Sequence, residues 1–171
     1  PKRYIGLSSR ATYSYKDTYF VEGNVGYTGS EAFENGKKFG IFPAISLGWV
    51  PTQYKAIQQL VPVLDFLKFR GSYGTVGNDR MNTRFPYLTL MGQSGGSIWN
   101  SGPGYTETQV GSSNLKWETA TKTNFGIDAK FLKNKFDLTI DFYRDVRSGI
   151  YQQRASIPDE MGLVSLPFAN V

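Results

Sequence analysis

The sequence predicts an all-β protein: an antiparallel, up-and-down meander of about six long strands. Three features predict it. Apolar and polar residues alternate with a period of two over long stretches, which is the strand period and not the helix period. Aromatic residues make up 15% of the chain and glycine 19 of 171 residues, a mixture that suits strands with aromatic rims and close backbone approach. The joints between alternating stretches are short polar turns at one end, with Pro51 to Asp65 as an exception of helical spacing, and longer glycine-rich loops at the other.

The clearest element is a hairpin from Asn114 to Asp145. Phe125, Ile127, Ala129 and Phe131 share one face, with Asn124, Gly126, Asp128 and Lys130 on the other. After the turn, Phe136, Leu138, Ile140 and Phe142 alternate with Asp137, Thr139, Asp141 and Tyr143. A two-residue turn at Lys133-Asn134 sets the register, since Asn tolerates positive φ. Phe131 then faces Phe136, Ile127 faces Ile140, Phe125 faces Phe142, and Lys130 meets Asp137. Such pairs stabilise a sheet by roughly 0.2–1 kcal/mol each, and a one-residue slip would move every phenylalanine to the charged side.

The other elements follow in order. Ile5, Leu7, Ala11, Tyr13 and Tyr15 share a face over Ile5 to Tyr15, with Ser9 among them. A three-residue turn, Lys16-Asp17-Thr18, leads to a second strand with Tyr19, Val21, Val25 and Tyr27 against Phe20, Glu22, Asn24 and Thr28. This turn pairs Tyr15 with Tyr19 and Tyr13 with Val21. Gly29 to Gly40 reads as a loop. A third strand runs from Ile41 to Val50, with Ile45, Leu47 and Trp49 opposite the small residues Ala44, Ser46 and Gly48. Pro51 to Asp65 has helical spacing until Pro62 stops it. Phe66 to Gly74 returns as a strand, with Leu67, Phe69 and Tyr73 against Lys68, Arg70 and Ser72. Thr75 to Ser113 reads as a long loop with at most a short strand at Tyr87 to Met91, and strict alternation is lost after Asp145, with no closing strand.

Composition limits the function. The chain has no His and no Cys, which removes the commonest general base, the commonest metal ligand and all thiolate chemistry. No nucleophile–base pair stands out, so the expectation is a protein that is not an enzyme and holds no metal or cofactor. Asp128, Asp137 and Asp141 share a face, yet Lys130 lies opposite Asp137. That makes a neutralised wall a better expectation than paired catalytic carboxylates. GNDRMN lacks the acidic alternation of a calcium loop, and the glycines from Gly92 to Gly96 do not join a strand to a helix, as a phosphate cradle requires. The net charge is +5, but the basic residues are dispersed, so nucleic acid is not an expected partner. No apolar run is long enough for a membrane-spanning helix, a test that β-barrels escape. The chain starts at Pro1 without an initiator Met, as expected of a piece of a longer protein.

Strands with one apolar and one polar face fit two environments. In a soluble sandwich the apolar face turns inward; in a membrane barrel it meets lipid while the polar face lines a wet lumen. Tyr13, Tyr15, Tyr19 and Val21 at the turn end are an aromatic girdle in the barrel and ordinary cross-strand packing in the sandwich.

The segments YSYKDTYFVEGNVGYTGSEAF, GKKFGIFPAISLGWV, LKFRGSYGTVGN and SSNLKWETATKTNFGIDAKFLKNKFDLTIDFYRD, in this order, resemble the C-terminal barrel of SusC/RagA-type TonB-dependent transporters of Bacteroidetes. The resemblance runs from about Arg3 to Val171. It implies part of a large transmembrane β-barrel with long extracellular loops, in the outer membrane of a Gram-negative cell. It also implies import of oligosaccharides or peptides, powered by TonB and covered by a SusD-like surface lipoprotein. Residues 1–171 then form a partial barrel domain without the plug or the TonB box, unable to close a barrel alone. On that basis Arg10, Glu22, Asn24, Lys68, Arg70, Asp128, Lys130, Asp137 and Asp141 are the expected lumen-facing residues. Phe125, Ile127, Phe131, Phe136, Leu138, Ile140 and Phe142 are expected to face lipid. The long loop supplies the candidate ligand contacts, Trp99, Asn100 and Tyr105. The alternative is a soluble all-β carbohydrate-binding module that uses the same aromatics as a stacking platform.

Overall fold

A computed structural model describes residues 3–54, 57, 63–81, 85–95, 102, 104–112, 114–153 and 168–171. Alternating stretches too long to bury one edge alone pair with their neighbours in sequence. The strands are β1 (Tyr4–Tyr15), β2 (Tyr19–Ser30), β3 (Phe39–Trp49), β4 (Leu64–Asn78), β5 (Leu90–Ser94), β6 (Gly104–Gln109), β7 (Glu118–Phe131), β8 (Phe136–Ser148), β9 (Tyr151–Gln153) and β10 (Phe168–Asn170). Six of them form one antiparallel sheet in the order β1-β2-β3-β4-β7-β8, while β5-β6 and β9-β10 make separate two-stranded ribbons.

The registers expected at both short turns are present. Tyr15 pairs with Tyr19 and Tyr13 with Val21; Phe131 pairs with Phe136, Ile127 with Ile140, Phe125 with Phe142 and Lys130 with Asp137. The β7–β8 connection is not the two-residue turn expected. Residues 132–135 all belong to it, and Leu132, Lys133 and Asn134 all have positive φ. Two contacts from the start of β4 and the residue before it hold this wider turn: the Leu132 N–H donates to the Val63 carbonyl, and the Asn134 N–H donates to Asp65 Oδ2 at 3.0 Å. The register survives because the turn remains even-numbered.

Other boundaries move outward. β2 and β3 each reach into the Gly29–Gly40 stretch read as loop, and β4 continues through Asn78 instead of stopping at Gly74. The Thr75–Ser113 stretch holds a complete hairpin, β5-β6, which displaces the expected Tyr87–Met91 strand to Leu90–Ser94. β8 runs past Asp145 to Ser148, and β10 closes back on β9. Tertiary pairing supplies hydrogen-bond partners that alternation alone does not reveal. Of the helical stretch, Pro51–Gln53 is a single 3-10 turn with Pro at its start; the remainder is largely outside the described residues.

The small buried core lies at the loop end, away from the sheet faces. Ala32, Phe33, Met81 and Leu115 are buried together, with Tyr87, Trp117 and Tyr151 packed against them. Phe33 stacks on Trp117 at 4.9 Å and Phe42 meets Trp117 edge-on at 5.3 Å. The loops pack on each other, and hydrogen bonds such as Ser30 Oγ to Asp79 Oδ2 at 2.6 Å fix their stems.

Candidate functional site

Alternation along six paired strands gives the main sheet two chemically opposite faces. One hydrogen-bonded row runs Tyr13, Val21, Leu47, Gly71, Phe125, Phe142. The adjacent row runs Ser14, Phe20, Gly48, Arg70, Gly126, Asp141 and belongs to the other face. All nine residues expected in the lumen lie on this second, polar face.

Their side chains are tied together. Arg10 Nε donates to Asn24 Oδ1 at 3.0 Å and stands 3.6 Å from Glu22; Asn24 Nδ2 donates to Glu22 Oε1 at 2.7 Å. Arg70 holds Asp128 through Nε at 3.1 Å and Asp141 through Nη2 at 2.9 Å. Asp128 also accepts from the Thr139 hydroxyl, and Lys130 stands 3.4 Å from Asp137. Lys68 places its ammonium over the Phe20 ring, 5.5 Å from the centroid. Each aspartate of the suspected catalytic set is thus held by a cation, which is the arrangement of a neutralised wall. Such half-exposed pairs add little stability singly but fix where the polar groups point.

Across β1, β2, β3, β4 and β7 this face bounds a groove of about 570 Å³, with Thr12, Glu22, Lys68, Arg70 and Asn124 on its walls. The Asn124 side-chain oxygen is buried there and accepts no hydrogen bond from the described chain. Sequence reasoning missed three contributors. Lys122 pairs with Asp145 at 3.9 Å, two residues beyond Asn124 on the same face, and the alternation already implied its place. Gly126 leaves the gap that Arg70 crosses, since a Cβ there would sit 2.7 Å from Arg70 Nε and 2.8 Å from Asp141. Gly48 lies beside Phe20 and Lys68, where a Cβ would approach the Phe20 Cβ to 3.3 Å and the Lys68 stem to 3.7 Å.

The other face is apolar, and no second layer covers it among the described residues. Ile5 is 67% exposed, Leu7 71% and Phe142 63%. Its apolar run, interrupted by Ser9 on β1 and by Gly23 and Gly71 on β2 and β4, does not follow the rows of paired residues. On β1, β2 and β3 it starts at the turn end with Tyr15, Tyr19 and Trp49, which form one row, and reaches Ile5, Tyr27 and Phe39. On β7 and β8 it starts at Phe131 and Phe136 and stops at Phe125 and Phe142, level with Tyr13. From β1 to β8, five strand steps, its turn-side limit moves by four residues and its loop-side limit by eight; the mean, at about 3.3 Å per residue and about 4.8 Å between strands, is a tilt of about 40°. Strands of a closed barrel tilt by about 35–45° to its axis.

The family described as TonB dependent receptor-like, beta-barrel matches residues 2–171. The chain belongs to this family. A TonB-dependent receptor of Formosa agariphila is 30% identical over 165 residues, covering 96% of this chain and 15% of that protein. The TonB-dependent receptor SusC of Bacteroides thetaiotaomicron is 30% identical over 143 residues, covering 81% of this chain and 14% of that protein. In three dimensions the chain superimposes on the RagAB peptide transporter with a TM-score of 0.83 at 23% identity, covering 98% of this chain and 18% of that one. This likeness shows the fold. The chain therefore spans about one seventh of the curated relatives it matches, and its sheet is an open segment of a TonB-dependent receptor barrel.

Within this barrel segment the candidate loop contacts separate. Trp99 and Asn100 lie outside the described residues. Tyr105 is on β6 and 70% exposed. Tyr87, by contrast, packs on the loop core and edge-on to Phe85.

Proposed function

We propose that this chain is a partial barrel domain, a stretch of outer-membrane wall in a SusC-like importer of oligosaccharides or peptides. Its apolar face stands against lipid. Its tied polar face, with Arg10, Glu22, Asn24, Lys68, Arg70, Asp128, Lys130, Asp137 and Asp141, lines the lumen. The protein works in a Bacteroidetes-type Gram-negative envelope beneath a SusD-like lipoprotein, and TonB drives it through a part of the protein outside these residues. Tyr105, on β6 at the loop side, and Trp99 and Asn100, by residue type alone, are the proposed ligand contacts. The role is conduction and not catalysis.

The observation that carries this reading is the diagonal apolar band. A membrane boundary is a plane, and strands crossing it at a tilt must shift their apolar stretch from one row to the next. A soluble carbohydrate-binding module would instead need these side chains covered, because burying each is worth about 1.5–3 kcal/mol, and they are exposed.

Cysteine scanning of β8 tests the reading, since this segment has no cysteine of its own. In the full-length protein in intact outer membranes, Cys at 137, 139 and 141 should react with a water-soluble maleimide. Cys at 138, 140 and 142 should react only with a lipid-soluble one. Equal labelling along the strand, or the opposite alternation, would sink the proposal.

A further inference from the structure

Arg144 breaks the rule of the outer face. Apart from Asp65, at the irregularity where β4 enters the sheet, it is the only charged residue that alternation places on the apolar face of the six strands. It follows Phe142 by one step on that face, and it pairs across to Thr123, with Tyr73 next in the same row. It therefore sits just beyond the end of the apolar run, on the loop side, beside an aromatic boundary residue. Arg144 is exposed, and no ion pair or hydrogen bond of its side chain occurs among the described residues. The acidic residues on either side of it in β8, Asp141 and Asp145, face the opposite way and are held by Arg70 and Lys122. Pairing along the free edge of β8 would occupy backbone groups and leave this face open. Toward the loops the next outer position of β8 is Val146, which pairs with Thr121; on β7 and β4 the outer positions carry hydroxyls, Thr123 level with Arg144 and then Thr121, which pairs with Thr75.

A guanidinium presents a planar fork of donors that matches phosphate oxygens two at a time. A long stem lets it lie along apolar surface while its head stays in the polar layer. We infer that Arg144, with the Thr123 hydroxyl beside it, binds the phosphate of an anionic lipid headgroup in the leaflet on the loop side. This rests on the proposed placement of the apolar face against lipid. It adds a specific lipid contact that holds β8 at a fixed depth.

The test uses the full-length protein carrying this segment in nanodiscs of mixed phosphatidylglycerol and phosphatidylcholine. Retained lipid is measured by native mass spectrometry. Arg144→Gln should weaken phosphatidylglycerol retention about tenfold, the loss expected when a charge-assisted contact worth about 1.4 kcal/mol is removed. Arg144→Lys should keep part of it, because the charge remains and the fork does not. Arg147→Gln, three residues further along β8 and on the opposite face, should leave retention unchanged. An unaltered phosphatidylglycerol preference in Arg144→Gln, or an equal loss in Arg147→Gln, would overturn the inference. A bimane label on Leu138→Cys, read with brominated acyl chains in the same nanodiscs, separates the two levels. Without quenching, the lipid-facing wall itself is wrong; with quenching but no change in lipid preference, only the Arg144 site is wrong.

Discussion

Arg70 on β4 reaches Asp141 on β8 across an intervening strand, with Nη2 2.9 Å from Oδ2. The bridge passes over Gly126, where a Cβ would crowd both Arg70 and Asp141. The two aspartates therefore act on one cation from two different strands, and the clamp ties three strands laterally on the polar face.

Gly126→Ala should disturb both halves of this clamp, since the added Cβ would crowd Arg70 Nε, which holds Asp128, as well as Asp141. In a double-mutant cycle, Asp141→Asn should lower the unfolding midpoint of the native barrel slightly and have no further effect in the Gly126→Ala background. Additive effects would show that the two residues are independent.

Phe33 is fully buried and stacked on Trp117, so the loops have a core of their own. Phe33→Ala should cost about 3–5 kcal/mol of local stability, as in other large-to-small core changes. The expected readout is faster proteolysis between residues 31 and 38, with barrel assembly unchanged. Loss of assembly would mean that the loop core also supports the strands.

Tyr54, after the 3-10 turn, shares a hydrogen bond with Tyr19, 2.7 Å between hydroxyl oxygens. That bond first, and then desolvation, raises the Tyr54 phenol above its ordinary pKa of 10.0. The Tyr54 phenol is neutral below its ordinary value, so the contact is fully present there. It is lost as pH rises through the raised Tyr54 pKa. Tyr19→Phe should return the Tyr54 titration toward the ordinary value, measured from the Cζ chemical shift of labelled tyrosine. An unmoved titration would remove Tyr19 as the cause.

Much of the wall was legible because its information is local. In the β7–β8 hairpin a period-two pattern on both arms fixes which residues share a face, and the short connection leaves one register that matches Phe131 to Phe136 and Lys130 to Asp137. The same argument put Tyr15 opposite Tyr19. The nine polar-face residues followed from parity alone. The features that were not legible depend on residues far apart in the chain. Gly126 has meaning only once Arg70 and Asp141 flank it, and the four-residue turn after Phe131 exists because Val63 and Asp65 bond to it. The loop core joins Phe33, Met81 and Leu115 from three separate connections. The diagonal of the apolar band is a relation among all six strands. Alternation in the sequence decided the faces, because each residue's side is set by its neighbours. The tertiary structure decided which strands lie side by side and at what offset, because that depends on hydrogen bonds between segments whose separation no local pattern encodes.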